Sequence, residues 1–126
     1  MDIPQRFAYE AGHRPTGVVS PEQVFDAFAA SGMEVTERKQ HLARAYEAKY
    51  CQGAKAEKEK LYFSVCEYTT DAEAEKGVAA GKLLGTTKRD SMRNGKTLFM
   101  ILYPDQPEPV KAKKIFMSLK APPAKP

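Results

Sequence analysis

The residue pattern predicts an α+β domain, a two-layer sandwich with a four-stranded antiparallel sheet and helices on one face. The expected order is helix–strand–strand, helix–strand–strand, helix. Three features carry that expectation. Ser20-Pro21-Glu22-Gln23 and Thr70-Asp71-Ala72-Glu73 both read as helix openings, with a hydroxyl to cap and a Gln or Glu three residues on. Each is followed, beyond its helix, by segments whose apolar residues recur at every second position. Asn94-Gly95 is a strong signal for a two-residue hairpin.

Residues 1–19 hold Pro4, Gly12, Pro15 and Gly17 without apolar periodicity. They are expected to be irregular, with Phe7 and Tyr9 able to dock. The domain proper is expected over 20–119. Its first helix starts at Ser20, buries Val24, Phe25, Phe28 and Ala29 on one side, and stops at Gly32. The helix after Thr70 is weaker, with Ala74, Val78 and Leu83 or Leu84 as apolar contacts. Its Gly77 and Gly81 each cost ~1 kcal/mol relative to alanine. Their four-residue spacing favours tight packing of helix on sheet, and Gly85 ends the helix. Asp105-Gln106-Pro107-Glu108 is expected to open a third helix striped by Ala112, Ile115, Phe116 and Leu119. Residues 120–126 are a Pro/Ala/Lys tail, extended by its prolines.

Between the helices, Leu61, Phe63 and Val65 alternate with Tyr62, Ser64 and Cys66, which reads as a strand. Residues 48–54 are its partner across a polar loop. The segment 86–93 is polar and charged, so it is expected at an edge. Residues 97–103 are apolar on both sides, so they are expected at the centre. Residues 33–47 carry a strand pattern at Met33 and Val35 and a helical one at Leu42, Ala45, Tyr46 and Lys49; both readings stay open. The whole order matches a circularly permuted ferredoxin-like sandwich, αββαββ plus a C-terminal helix.

A turn at Lys58-Glu59 sets Cys51 directly opposite Cys66 on adjacent strands, within reach of a disulfide. Such a bond requires an oxidising compartment. Two reduced, inert thiols or a reactive pair are the other readings. Tyr50-Cys51-x-Gly53 followed by Ser64-Val65-Cys66-Glu67-Tyr68 resembles a paired-cysteine pattern in small extracytoplasmic lipoprotein-type domains of bacteria. That resemblance implies export and the disulfide, and brings no activity with it. The expected location is periplasmic or otherwise extracytoplasmic, with the cytoplasm as the alternative. The start of the chain then reads as a mature region lacking its leader.

The net charge is +4, and all of the excess lies beyond Pro107, in Lys111, Lys113, Lys114, Lys120 and Lys125 against Glu108. Lys88, Arg89, Arg93 and Lys96 form a second basic group around one turn. Both suit solvated faces and edge protection, or contact with a phosphate or anionic lipid. No apolar run reaches the ~18 residues of a membrane span.

Asn94-Gly95-Lys96-Thr97 echoes the end of a P-loop, but Asp90 stands where the earlier glycine belongs. Cys-x-x-Cys is absent, and His13 and His41 are the only histidines. No catalytic residue, metal ligand set or cofactor is expected. The second face of the sheet is expected to carry Tyr62, Cys66 and Tyr68. The central strand adds Phe99, Ile101 and Tyr103, or else Leu98, Met100 and Leu102. Such an apolar face needs a cover: the C-terminal helix, a second copy, or a partner. The leading expectation is a non-catalytic extracytoplasmic module that associates with another protein, or with itself, through Tyr62, Tyr68, Phe99, Ile101 and Tyr103. The alternatives are a nucleic-acid-binding domain using that face and the basic hairpin, and a thiol-reactive protein or unrecognised enzyme built on Cys51 and Cys66.

Overall fold

Local chemistry sets the ends of α2 (Pro21–Ala30). Ser20 Oγ accepts from the Gln23 amide at 3.1 Å, and Pro21 fills the first turn. At the other end Gly32 adopts φ 98°. The Met33 amide reaches back to the Phe28 carbonyl and the Gly32 amide to that of Ala29, a Schellman closure.

The computed structural model describes residues 1–83 and 88–125. Around α2 the chain forms α1 (Ile3–Gly12), β1 (Thr36–His41), a 3-10 turn (Ala43–Tyr46), β2 (Tyr50–Ala56) and β3 (Leu61–Glu67). It continues through α3 (Asp71–Leu83), β4 (Arg89–Asn94), β5 (Thr97–Leu102) and α4 (Val110–Ser118). Leu84, Gly85, Thr86 and the side-chain contacts of Leu83 lie outside the described residues.

The sheet has five strands rather than four, all antiparallel, in the order β1-β2-β3-β5-β4. The added strand is β1. The segment 33–47 realises both of its patterns, strand first and helical turn after. Glu37, Arg38 and Lys39 disguise the strand because they belong to an edge. Glu37 sits at φ 55° and the register slips between Thr36 and Lys39, an irregularity that blunts an exposed edge.

Helices cover both faces, not one. α2 and α4 pack on the side carrying Phe63, Val65, Phe99 and Ile101. α3 and the 3-10 turn pack on the side carrying Cys51, Cys66 and Leu98, through Ala74, Val78 and Ala43. Strand alternation forces this split: β3 and β5 are apolar on both sides, so each side needs its own cover. The C-terminal helix therefore joins α2 and does not cover the second face.

Three further expectations are corrected. The N-terminal segment is not irregular, because Asp2 and Gln5 cap α1 reciprocally and Pro4 lies in its first turn. Apolar periodicity missed it because its anchor is a charge. Glu10 is 1% exposed, accepts from the Ala43 and Arg44 amides at 2.7 and 3.2 Å, and receives Arg6 Nε at 2.8 Å. It thereby satisfies the open N-terminus of the 3-10 turn. The last helix begins at Val110 rather than Asp105, since Gln106 and Glu108 each precede a proline and are pushed toward extended backbone. The second hairpin turns at Gly95-Lys96, with Asn94 already paired to Thr97. Gly95 supplies the positive φ (59°) that a primed turn needs at its first central position. The Asn94 amide instead donates to the carbonyls of Phe116 and Leu119, at 3.0 and 2.8 Å. The tail runs back over the α1–α2 connection: Gln23 Nε2 donates to the Lys120 carbonyl, and the Lys125 amide to Thr16 Oγ1.

Candidate binding face

The β2–β3 hairpin reverses through residues 57–60 and places Cys51 opposite Cys66, the register expected from a turn at Lys58-Glu59. The sulfurs lie at bonding distance, 2.07 Å, with the Cα atoms 4.1 Å apart. Both cysteines are fully buried beneath α3 and the 3-10 turn. Tyr68 seals the same layer. Its hydroxyl donates to the Tyr46 carbonyl at 2.8 Å, and burial pushes its phenol up to about 12.

Away from the disulfide this face opens. One row across the sheet runs Lys39, Gly53, Ser64, Met100, Ser91; the next runs Lys55, Tyr62, Leu102, Arg89. They floor an open concavity of about 470 Å³, with His41, Tyr46 and Gly81 on its wall toward the disulfide. Tyr62 is 47% exposed, beside half-buried Met100 and Leu102. Lys55 pairs with Glu37 at 2.5 Å and Glu57 at 3.0 Å. Lys39 and Arg89 are exposed, and among the described residues neither has a carboxylate within 4.0 Å. His41 is held below the usual imidazole value by burial first and by the nearby Lys39 charge second.

Of the five aromatic and aliphatic residues expected on one face, the fold leaves only Tyr62 as its open surface. Tyr68 shares that side but is 1% exposed. Phe99 and Ile101 lie on the opposite side, fully buried under α2 and α4. Tyr103 packs with that second group, and its hydroxyl donates to Asp90 at 2.8 Å. The pairing of β3 with β5 decides this: Cys66 faces Leu98, and Tyr62 faces Leu102. The basic group is also divided. Lys88 and Arg89 lie at one end of β4, Arg93 and Lys96 at the other, about 13 Å away at strand rise. Arg93 pairs with Glu75 at 2.6 Å, and Lys88 donates to the Gln106 carbonyl. Sequence reasoning missed Lys39 as part of this face, because the strand pattern of 33–47 is undecided in the sequence, and it missed Gly53, on the expected strand β2, because a glycine offers no side chain to notice.

It also missed the densest polar cluster. Arg14 forks onto Glu22 with two bonds of 2.8 Å and onto Glu67 with bonds of 3.1 and 2.7 Å, while stacking 3.9 Å above the Tyr50 ring. Hydrogen bonding from Arg14 holds the Glu22 carboxyl below its ordinary value. Burial pushes Glu67 up, against the pull of the same arginine. All three charges are committed to one another, so the cluster reads as a fastener between the α1–α2 connection and β3. A second groove of about 500 Å³ lies between Met33, Leu61 and residues 106–112. Glu59, on its lining, carries the one buried side-chain oxygen, Oε2, without a hydrogen-bond partner among the described residues.

Comparison with known protein families, curated proteins and solved structures finds no match for this chain.

Proposed function

We propose that this chain is a non-catalytic binding module of an extracytoplasmic compartment such as the periplasm, and that it associates with another protein through the open part of its sheet. The observation that carries the reading is Tyr62, 47% exposed beside Met100 and Leu102 on a face whose other half is sealed by α3. Exposed aromatics flanked by flexible apolar side chains are what protein-recognition surfaces concentrate. The bonded, fully buried cysteines support the compartment and weigh against thiol chemistry. For the fold, a permuted ferredoxin-like relationship is supported by the inner order β2-β3-β5-β4, while β1 and the position of α3 depart from it.

The test is a peptide-display selection on the folded chain, counter-screened against Tyr62→Glu and Leu102→Glu. Enriched peptides should lose binding to both variants. Equal binding to wild type and variants removes the sheet face as the surface, and a wild-type dimer dissociated by both variants replaces the partner with a second copy. For the compartment, protein isolated from its own cell and alkylated in denaturant without reductant should take up no label. Two labelled thiols per chain would overturn the extracytoplasmic assignment.

A further inference from the structure

We infer that the occupant of the open sheet face is an acidic, extended peptide segment, with an apolar side chain on Tyr62, Met100 and Leu102 and carboxylates toward Lys39 and Arg89. This rests on the protein-binding reading and adds the chemistry of the partner. The two cations stand on opposite edge strands, β1 and β4, exposed and without a carboxylate within 4.0 Å among the described residues. Lys55, between them, is already shared by Glu37 and Glu57. The surface therefore has an apolar middle and an unanswered positive charge at each side. Four strand spacings separate the edges, about 19 Å, which an extended peptide covers with about six residues. Complementary charge at the rim of an apolar centre fixes register and excludes wrong partners more than it adds affinity.

A nucleic acid is also an anion, but it fits these observations less well. Binding of single strands relies on successive aromatic platforms, and among the described residues Tyr62 is the one exposed ring on this face, with Tyr46 and His41 half-buried at its wall. Glu37 lines the same concavity, where a phosphate chain, charged at every unit, would meet it and a peptide can set an uncharged residue beside it.

The probes are three capped hexapeptides sharing one tyrosine and two leucines, with the other three positions all glutamate, all glutamine or all lysine. Hexauridylate is the fourth probe. Each is titrated into the full ¹⁵N-labelled chain at low salt. The glutamate peptide should shift the amides of Ser64, Ser91 and Met100 and bind about tenfold more tightly than the glutamine peptide. That advantage should vanish in Lys39→Gln/Arg89→Gln, two exposed positions whose change leaves the fold intact, and at high salt. If the glutamine or lysine peptide binds as tightly as the glutamate one at those same amides, the acidic partner is wrong and the sheet-face reading stands. If no peptide moves those amides, both fall. Tighter binding of hexauridylate there would make the occupant a nucleic acid.

Discussion

The His41 imidazole occupies the space that a side chain at Gly53 would need: an ideal Cβ at Gly53 falls 2.1 Å from His41 Cε1. Glycine inside a strand usually marks such an approach. The contact half-buries the ring next to Lys39 and lowers its pKa. The folded chain then binds a proton less readily than the unfolded one, so His41 contributes stability above its unfolded value of 6.5. That contribution is lost as pH falls through the lower folded value. Urea unfolding at about pH 7.5 and about pH 5.5 should show a larger loss in wild type than in His41→Gln. Gly53→Ala, by pushing the ring toward water, should return its NMR titration toward the ordinary range. An unchanged titration in that variant would disconnect the shift from the contact.

The disulfide closes a separation of 15 residues between two fully buried positions. In the chain-entropy model a loop of that size is worth ~3 kcal/mol. Cys51→Ala/Cys66→Ala should lower stability by about that amount by denaturant unfolding. Hydrogen exchange should locate the loosening in β2, β3 and α3, the elements packed around the bond. A loss confined to other elements would show that the cross-link is not what joins this layer.

Gly77 and Gly81 share a helix and a spacing but differ in what lies opposite. A Cβ at Gly77 meets the Tyr68 hydroxyl at 2.6 Å and Leu98 Cδ2 at 3.0 Å, and both side chains are fully buried. Tyr68 cannot withdraw without losing its bond to the Tyr46 carbonyl. At Gly81 the nearest atom is the Ser91 hydroxyl, at 2.1 Å, which can rotate away. Overpacking costs ~1–3 kcal/mol, against ~1 kcal/mol gained by replacing glycine in a helix. Gly77→Ala should therefore destabilise by about 1 kcal/mol, and Gly81→Ala should be neutral or slightly stabilising, as read by thermal unfolding. The reverse order would show that α3 is not seated by Gly77.

What the sequence conveyed about this fold depended on whether a residue's role was local. Ser20, Gly32, Thr70 and Gly95 act within a turn of themselves, and the elements they bound were legible, while Asn94 proved to bond the distant carbonyls of Phe116 and Leu119. The Cys51–Cys66 register followed from one turn position. Which side of the sheet a helix covers is a long-range choice, and the apolar residues on both sides of β3 and β5 allow either. β1 was hidden because an edge strand is charged where a central strand is apolar. α1 was hidden because it is held by Glu10 rather than by an apolar stripe. The open face was half legible: Tyr62 carried it, but its floor needed the β3–β5 pairing, and its cationic margin needed β1.

Arg14 is the most consequential single side chain that periodicity gave no reason to notice. It answers Glu67, whose side chain is 2% exposed, and Glu22, whose side chain is 46% exposed. Removing the arginine leaves a buried carboxylate without its partner, a loss that runs to ~3–5 kcal/mol. Removing Glu22 breaks a partly solvated pair worth ~1 kcal/mol or less. Arg14→Ala should thus be much the more damaging in urea unfolding, and Arg14→Lys should not restore it, since an ammonium lacks the planar guanidinium that gives each carboxylate two bonds while stacking on Tyr50. Arg14→Ala/Glu67→Gln should recover part of the loss, because the neutral amide removes the buried charge. Failure of that double variant to recover would place the role of Arg14 in its stacking on Tyr50 instead.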